Sequence, residues 1–354
     1  QERARQNLAA WIESGAGQPA HHAFEPGLLF EAGVEPFLGV PFRAVLWYQG
    51  ESNATLADPA GMPTDPVVQT TRMRDLIATW RGRFAQPRLP FLMVQLPGYR
   101  RAWVEFRDAQ AQVAAADPDV HLAITLDVGH PTDVHPRDKA PVGDRLARIA
   151  LRHLHGQQDV AEGPRIARVV FSSESARVVL ANETAVRSAD GLPIRGFALA
   201  GDDLRFHPAV AIVTAAHEIV VTAPGVGRPT ALRYAWQDDP RPNLVDENGL
   251  PLAPHRTDTG PLRPRIRVAN LAGLDERVLE DLLGPDFKVG TFSGPKGPQV
   301  CGPWEPDLAV IRANDTWSQT LPAVRWRGQE ADADLATLVA AVRATVARDL
   351  TRRR

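Results

Sequence analysis

The sequence predicts an α/β fold in three parts: a partial parallel sheet between helices, then a small β-rich region, then an α+β segment. Three observations predict it. Before residue 163, apolar runs of β-formers alternate with stretches of helical period, the pattern of βαβ units. Between Ile166 and Trp236 the runs shorten to IARVVF, ARVVLA, IRGFALA, AVAIV and EIVVTA, separated by Ser, Asn, Asp and Gly, as in an antiparallel meander or small sandwich with one face in water. After that, helical period returns at both ends of a Gly/Pro-rich stretch over 284–306.

Taken in order, residues 2–14 carry Leu8, Ala9, Trp11 and Ile12 on one side and run into Gly15 and Gly17, which predicts a short helix and its stop. Residues 21–41 are rich in Gly and Pro and predict loops around one helical turn near 28–34. Residues 44–48, AVLWY, read as a buried parallel strand with helices on both faces. A loop over 58–66 follows, with Asp65 placed to cap a helix over 66–81 in which Met73, Leu76, Ile77 and Trp80 recur at three and four. A strand over 91–96 leads to a helix over 103–116 with Trp103, Phe106 and Val113 on one face. A strand over 121–126 leads to a helix over 139–154 with Val142, Leu146, Ile149 and Ala150 inward. Only three strands are legible before residue 163, so the sheet is expected to be incomplete, with an edge open or covered by residues 1–18 or by the C-terminal segment. Residues 240–264 carry many prolines and read as an extended connection. An acidic helix is expected near 275–283 and an amphipathic one over 331–349, with Leu335, Leu338, Val339, Val342 and Val346 in one stripe. The expected domains are residues 1–162, 163–260 and 261–354.

Composition bounds the function. Lys plus Arg number 40 and Asp plus Glu 42, so no net field draws in nucleic acid or an anionic membrane. Only Arg352, Arg353 and Arg354 form a basic cluster, read as a solvated tail. The single Cys301 excludes an intramolecular disulfide and a multi-cysteine metal site. No apolar run approaches the roughly 18 residues of a membrane span. No signal peptide is present in the sequence, and its first residue is Gln1, not Met, so the chain as given reads as a mature form or a fragment. Gly294-Pro295-Lys296-Gly297 lacks the spacing and the Ser/Thr of a phosphate-binding loop. His153 and His155, on one helix flank, read as solvated rather than metal-binding. Trp47 and Tyr48 could stack on a sugar ring, but strand aromatics are more often core.

Polar groups gather at two strand ends. Gln49, Gly50, Glu51, Ser52 and Asn53 follow the first strand, and Asp127, His130, Asp133 and His135 follow the run 122–126. Open α/β sheets bind their ligands at the carboxyl ends of such strands.

The stretches WYQGESN, VQL at 94–96, WVEFRDAQ at 103–110 and DVHPRDKAPVGDRLA at 133–147, in that order, resemble the sialate O-acetylesterase family of SGNH-type serine esterases. ALRYAW at 231–236 is similar to that family's C-terminal β segment. The resemblance covers about 27–255, and nothing after about residue 259 takes part in it. It implies a flavodoxin-like three-layer sheet, hydrolysis of O-acetyl groups on sialic acid or another acetylated sugar, and no cofactor or metal. Ester hydrolysis by a serine enzyme needs a hydroxyl, an imidazole to take its proton, a carboxylate to hold that imidazole, and donors to the oxyanion. By resemblance the base is His135. Its carboxylate partner is Asp133, two residues before it, where the usual spacing of three falls on Thr132; Asp127 is the other candidate. Asp138 reads as a helix cap, and His130 as a surface residue as readily as a site residue. Gln49, Gly50, Glu51 and Asn53 correspond to the block that shapes the pocket and the oxyanion side.

The nucleophile departs from the pattern. The family carries it in an early Gly-Gln-Ser-Asn block, absent here, where Gly17-Gln18 is followed by Pro19. Ser52 is then either a structural hydroxyl, with the attacking serine outside this sequence, or the nucleophile of an approximate Gly-x-Ser-x-Gly elbow. The elbow needs a helix directly after the serine, and residues 54–66 read as loop. The sequence therefore also allows an inactive remnant that keeps a sugar-binding scaffold.

Overall fold

Three parallel strands form the N-terminal sheet: β1 (Val45–Trp47), β2 (Phe91–Val94) and β3 (Val120–Ala123), with β2 in the middle. The computed structural model describes residues 27–55, 66–100, 103–158, 162–181, 185–258, 266–270, 274–284, 287–290, 308–312, 323–326 and 332–347, with Gln6 and Glu13. β2 is buried at all four positions, the fate of an uninterrupted apolar run between two layers. On one face Phe91, Met93, Val113, Val120 and Leu122 pack with Ile77, Met73 and Trp80, so the helices Pro66–Arg83 and Val104–Ala116 lie there. On the other, Leu92 and Ala123 meet Ile149, Leu146 and Leu154 of the helix Ala140–His155. That helix begins with a proline in its first turn and ends on Gly156, left-handed at φ 71°, the usual asymmetry of starts and stops.

β1 departs from its expected burial. Among the described residues it pairs only with β2, and while Trp47 packs edge-on against Trp80 at 5.7 Å, Leu46 on the opposite face is 63% exposed. The reason is its edge position: the Ala140–His155 helix reaches Ala44 but leaves Leu46 uncovered. Residues 1–18, expected as one cover for this edge, lie outside the described residues except at Gln6 and Glu13.

The β-rich region is built from two four-stranded antiparallel sheets. One joins Ile166–Phe171, Ala176–Leu180, Glu218–Thr222 and Val210–Ala215; the other joins His255–Arg256, Ala231–Tyr234, Phe197–Ala200 and His207–Pro208. Val178, Ile219 and Val221 of the first share a core with Leu199, Leu232 and Tyr234 of the second, which makes the pair a sandwich. The stretch expected as an extended connection over 240–264 contributes the strands Leu244–Asp246 and His255–Arg256. Its prolines flank these strands and leave their N–H groups free to pair.

The C-terminal segment mixes helix and strand as expected, and its described strands are all parallel. Their order is Phe287–Gly290, Ile266–Asn270, Leu308–Arg312, Ala323–Trp326. Counted along the chain this is 2-1-3-4, the start of a doubly wound sheet of flavodoxin type. Leu335, Leu338, Val342 and Val346 of the last helix are buried against it, the stripe read from the sequence.

A buried arginine joins the α/β region to the sandwich. Arg107, 1% exposed, donates to Pro97 O at 3.0 Å and to Asp238 O at 2.9 Å, and also to Gln237 O. Asp238 in turn accepts from Trp103 N and, through its carbonyl, from Tyr99 N. The loop after β2 is thereby fixed between the two regions.

Candidate functional site

The site is built on the carboxyl ends of β1 and β3, and the loop after β2 closes the gap between them. After Trp47 the chain turns at Gly50, whose φ is +144°, a region open essentially to glycine alone. An added Cβ there would fall within the van der Waals envelope of the Phe106 ring. Gly50→Ala is accordingly expected to cost about 2–4 kcal/mol through strain and overpacking, measured as a lowered thermal midpoint.

Directly after this turn comes a short helix, Glu51–Thr55. The loop expected after Ser52 is therefore helical through Thr55, with Ser52 exposed in its first turn. Gln49 Nε2 donates to Asn53 Oδ1 at 2.9 Å, and Gln69 Nε2 donates to Asn53 O at 2.8 Å. The Asn53 amide is thus held by its oxygen, and its Nδ2 hydrogens have no partner among the described residues. The Gly50 N–H is engaged, donating to Glu51 Oε2 at 2.9 Å. Gln49 and Asn53 also line a crevice between the sheet and the Pro66–Arg83 helix, with Trp47, Arg72, Met73 and Phe106. Trp47 belongs to the core, as a strand aromatic usually does. Burial and the Glu51 carboxylate push the Tyr48 hydroxyl up to about 12, so it keeps its proton.

The second half of the site is the loop after β3. A turn over Leu126–Val128 carries Asp127, whose two oxygens accept from Arg145 at 2.7 and 2.6 Å. Arg145 is buried and also donates to Ile124 O at 2.7 Å. Among the described residues Asp127 therefore serves the base of the loop, not the ring of His135. His130, exposed, accepts through Nδ1 from Asp133 N at 3.0 Å and Thr132 N at 3.3 Å. Asp133 Oδ1 accepts from the His135 backbone N–H at 3.0 Å, and Asp133 lies 3.5 Å from Arg137. That backbone bond, with the Arg137 guanidinium, holds the Asp133 carboxyl below its ordinary range despite a small opposing desolvation. His135 is exposed, Pro136 after it is buried, and Asp138 accepts from Ala140 N at 3.1 Å at the start of the helix.

Two contacts bring the halves together although β2 separates their strands. Val134, beside His135, packs on the cluster of Ala54, Leu96, Trp103 and Phe106, so it shares an apolar seat with the residue that follows Asn53. Lys139 Nζ stands 4.9 Å from the Tyr48 ring centroid. Gly129 is needed for the same closure, since a Cβ there would enter the backbone of Gly98.

Residues 32–152 match the family model of carbohydrate esterases described as sialic acid-specific acetylesterase. The α/β region of this chain thus resembles the sialate O-acetylesterase family over those residues. The sialate O-acetylesterases of Rattus norvegicus and Mus musculus are each 23% identical over 244 residues, covering 62% of this chain and 43% of theirs. A carbohydrate acetylesterase from Xanthomonas citri, known by crystal structure, is 33% identical with a TM-score of 0.59, over 64% of this chain and 53% of its own. The chain thus spans about half the length of the relatives it matches, or less. Inside the α/β region, sequence reasoning missed Arg107, Arg145 and Lys139 as site builders. Arg107 and Arg145 left one signal: each is a charge inside an otherwise apolar helical stripe, and such a charge needs a buried partner.

The structure also regroups a histidine read as solvated. His153 stacks on His121 with ring centroids 3.5 Å apart and contacts Glu162.

Proposed function

We propose that this chain carries the base and pocket side of an esterase that removes O-acetyl groups from a carbohydrate. One observation carries the reading: the loop bearing His135 and the turn bearing Ser52 and Asn53 share one apolar seat at the strand ends. The hydroxyl oxygen of a serine adds to the acetyl carbonyl and passes its proton to the His135 ring. The oxyanion takes a hydrogen bond from Asn53 Nδ2, which Gln49 aims, and Asp133, accepting from the His135 backbone N–H, holds the loop that carries the imidazole. Collapse expels the sugar oxygen, which takes the proton from His135. Water, deprotonated by the same ring, then releases acetate and restores the serine. No cofactor enters these steps.

The attacking hydroxyl is Ser52 or a serine in polypeptide outside this sequence. The helix after Ser52 supplies the strand–turn–helix context that an elbow requires. The second reading, an inactive carbohydrate-binding remnant, is favoured by the engaged Gly50 N–H, since that backbone donor is spent on Glu51. The test is hydrolysis of a chromogenic acetyl ester by the chain, Ser52→Ala and Asn53→Ala, with a fluorophosphonate probe located by mass spectrometry. Asn53→Ala is expected to lower kcat by about 10²-fold, the effect of losing one oxyanion donor. Probe on Ser52 with activity lost in Ser52→Ala assigns the nucleophile there. Neither turnover nor labelling by the folded chain, with binding of an acetylated sugar retained, assigns the remnant.

A further inference from the structure

We propose that His121, His153 and Glu162 form a binding site for a divalent transition metal, of which zinc fits the ligand types best. The three come from three elements: His121 from β3, His153 from the last turn of the helix Ala140–His155, and Glu162 from the connection into the β sandwich. One ligand atom from each lies within 4.8 Å of the others. Around a tetrahedral zinc such atoms stand roughly 3.3 Å apart, with metal–nitrogen distances near 2.0–2.1 Å. His153 Nε2 and Glu162 Oε1 are already in direct contact, and their side chains, 31% and 20% exposed, swing apart to that spacing to admit the ion. Two imidazoles and a carboxylate leave a coordination position for water.

The surroundings suit a cation. His121 is half-buried and its ring nitrogens have no hydrogen-bond partner among the described residues, an unfinished state for a partly buried imidazole. The negative end of the helix dipole lies at His153. Arg165 and Arg152 face Glu162 at 3.5 and 4.0 Å, beyond the 2.7–3.2 Å of a direct hydrogen bond, while its Oε1 contacts His153 Nε2, the pair that a bound cation would bridge. Asp119, which adds negative charge near His121, is itself paired with Arg88.

The place defines the role. His121 sits near the amino end of β3, while Asp127 and His135 lie beyond its carboxyl end, so this metal does not reach the esterase site. It ties strand, helix terminus and interdomain connection at one point, and is structural.

The test uses the full chain without an affinity tag, titrated with Zn²⁺ by calorimetry and with Co²⁺ by visible absorption. One equivalent of Zn²⁺ is expected, with affinity falling on the order of tenfold or more in His153→Ala and in Glu162→Gln, at least the loss seen when a metal's outer partners are removed. His155→Ala, altering a neighbouring surface histidine outside the cluster, is expected to bind as the parent does. The Co²⁺ bands of a low-coordinate site are expected in the parent and absent in His153→Ala. Absence of saturable binding, or binding unchanged in His153→Ala, or binding lost equally in His155→Ala, would overturn the assignment.

Discussion

Replacing His135 by alanine is expected to lower acetyl-ester turnover by about 10³-fold or more, with little change in stability. The kinetic figure is the contribution of a positioned proton acceptor together with the nucleophile it activates. The small stability effect follows from the exposed position of His135, whose ring forms no hydrogen bond among the described residues. Its backbone N–H, the group Asp133 holds at 3.0 Å, is unaffected by truncation of the side chain. The loop should therefore survive the substitution, anchored by Val134 on one side and Asp138 on the other. Steady-state kinetics beside a thermal melt separates the two quantities. A variant with parental kcat/KM would remove His135 from the proposed mechanism whichever serine attacks.

Arg107→Met is expected to be the most destabilising change near the site, by about 4 kcal/mol. Met fills most of the volume, so the cost lies in the carbonyls of Pro97, Gln237 and Asp238, which lose a charged donor where water does not reach; bonds to charged groups are worth about 1.5–3 kcal/mol each, and not additively. Because these carbonyls belong to the loop after β2 and to the sandwich, the expected signature in a calorimetric scan is an earlier transition of the α/β region and a weakened coupling between the two. Activity is expected to fall with it, since Gly98 of that loop touches Gly129 at the root of the histidine loop. A melt indistinguishable from the parent would mean that the joint is held by other contacts, such as Trp103 N to Asp238.

Much of this was legible in residue order. The helices over 66–83, 104–116 and 140–155 were readable because each presents an apolar face at a fixed period, and the three parallel strands because each is a short apolar run of β-formers between helices. The two polar clusters were readable as strand-end loops for the same reason, and WYQGESN with HPRDK carried the family resemblance. The burial of β1 was misread: AVLWY is apolar throughout, and nothing local in it reveals which neighbour will be missing. The helix Glu51–Thr55 was also missed, because five residues including Ser and Asn carry little propensity and are held there by Gly50 and by Gln69 bonding Asn53 O.

The sequence by itself determined the class of fold, the family resemblance and the identity of the groups proposed for the ester chemistry, since these rest on periodicity and on residue types in order. Only the tertiary structure decided which of those groups meet. Asp127 turned to Arg145, Asn53 was fixed through Gln49, the His135 loop was seated beside Ala54, and His153 was carried from a helix flank to His121 and Glu162. Each of these is a pairing between residues distant along the chain, set by which sheet faces the helices cover and how the sandwich clamps the loop after β2. The physical reason is that a side chain's partner is selected by packing in three dimensions, and local sequence constrains only the half of the contact that it contains.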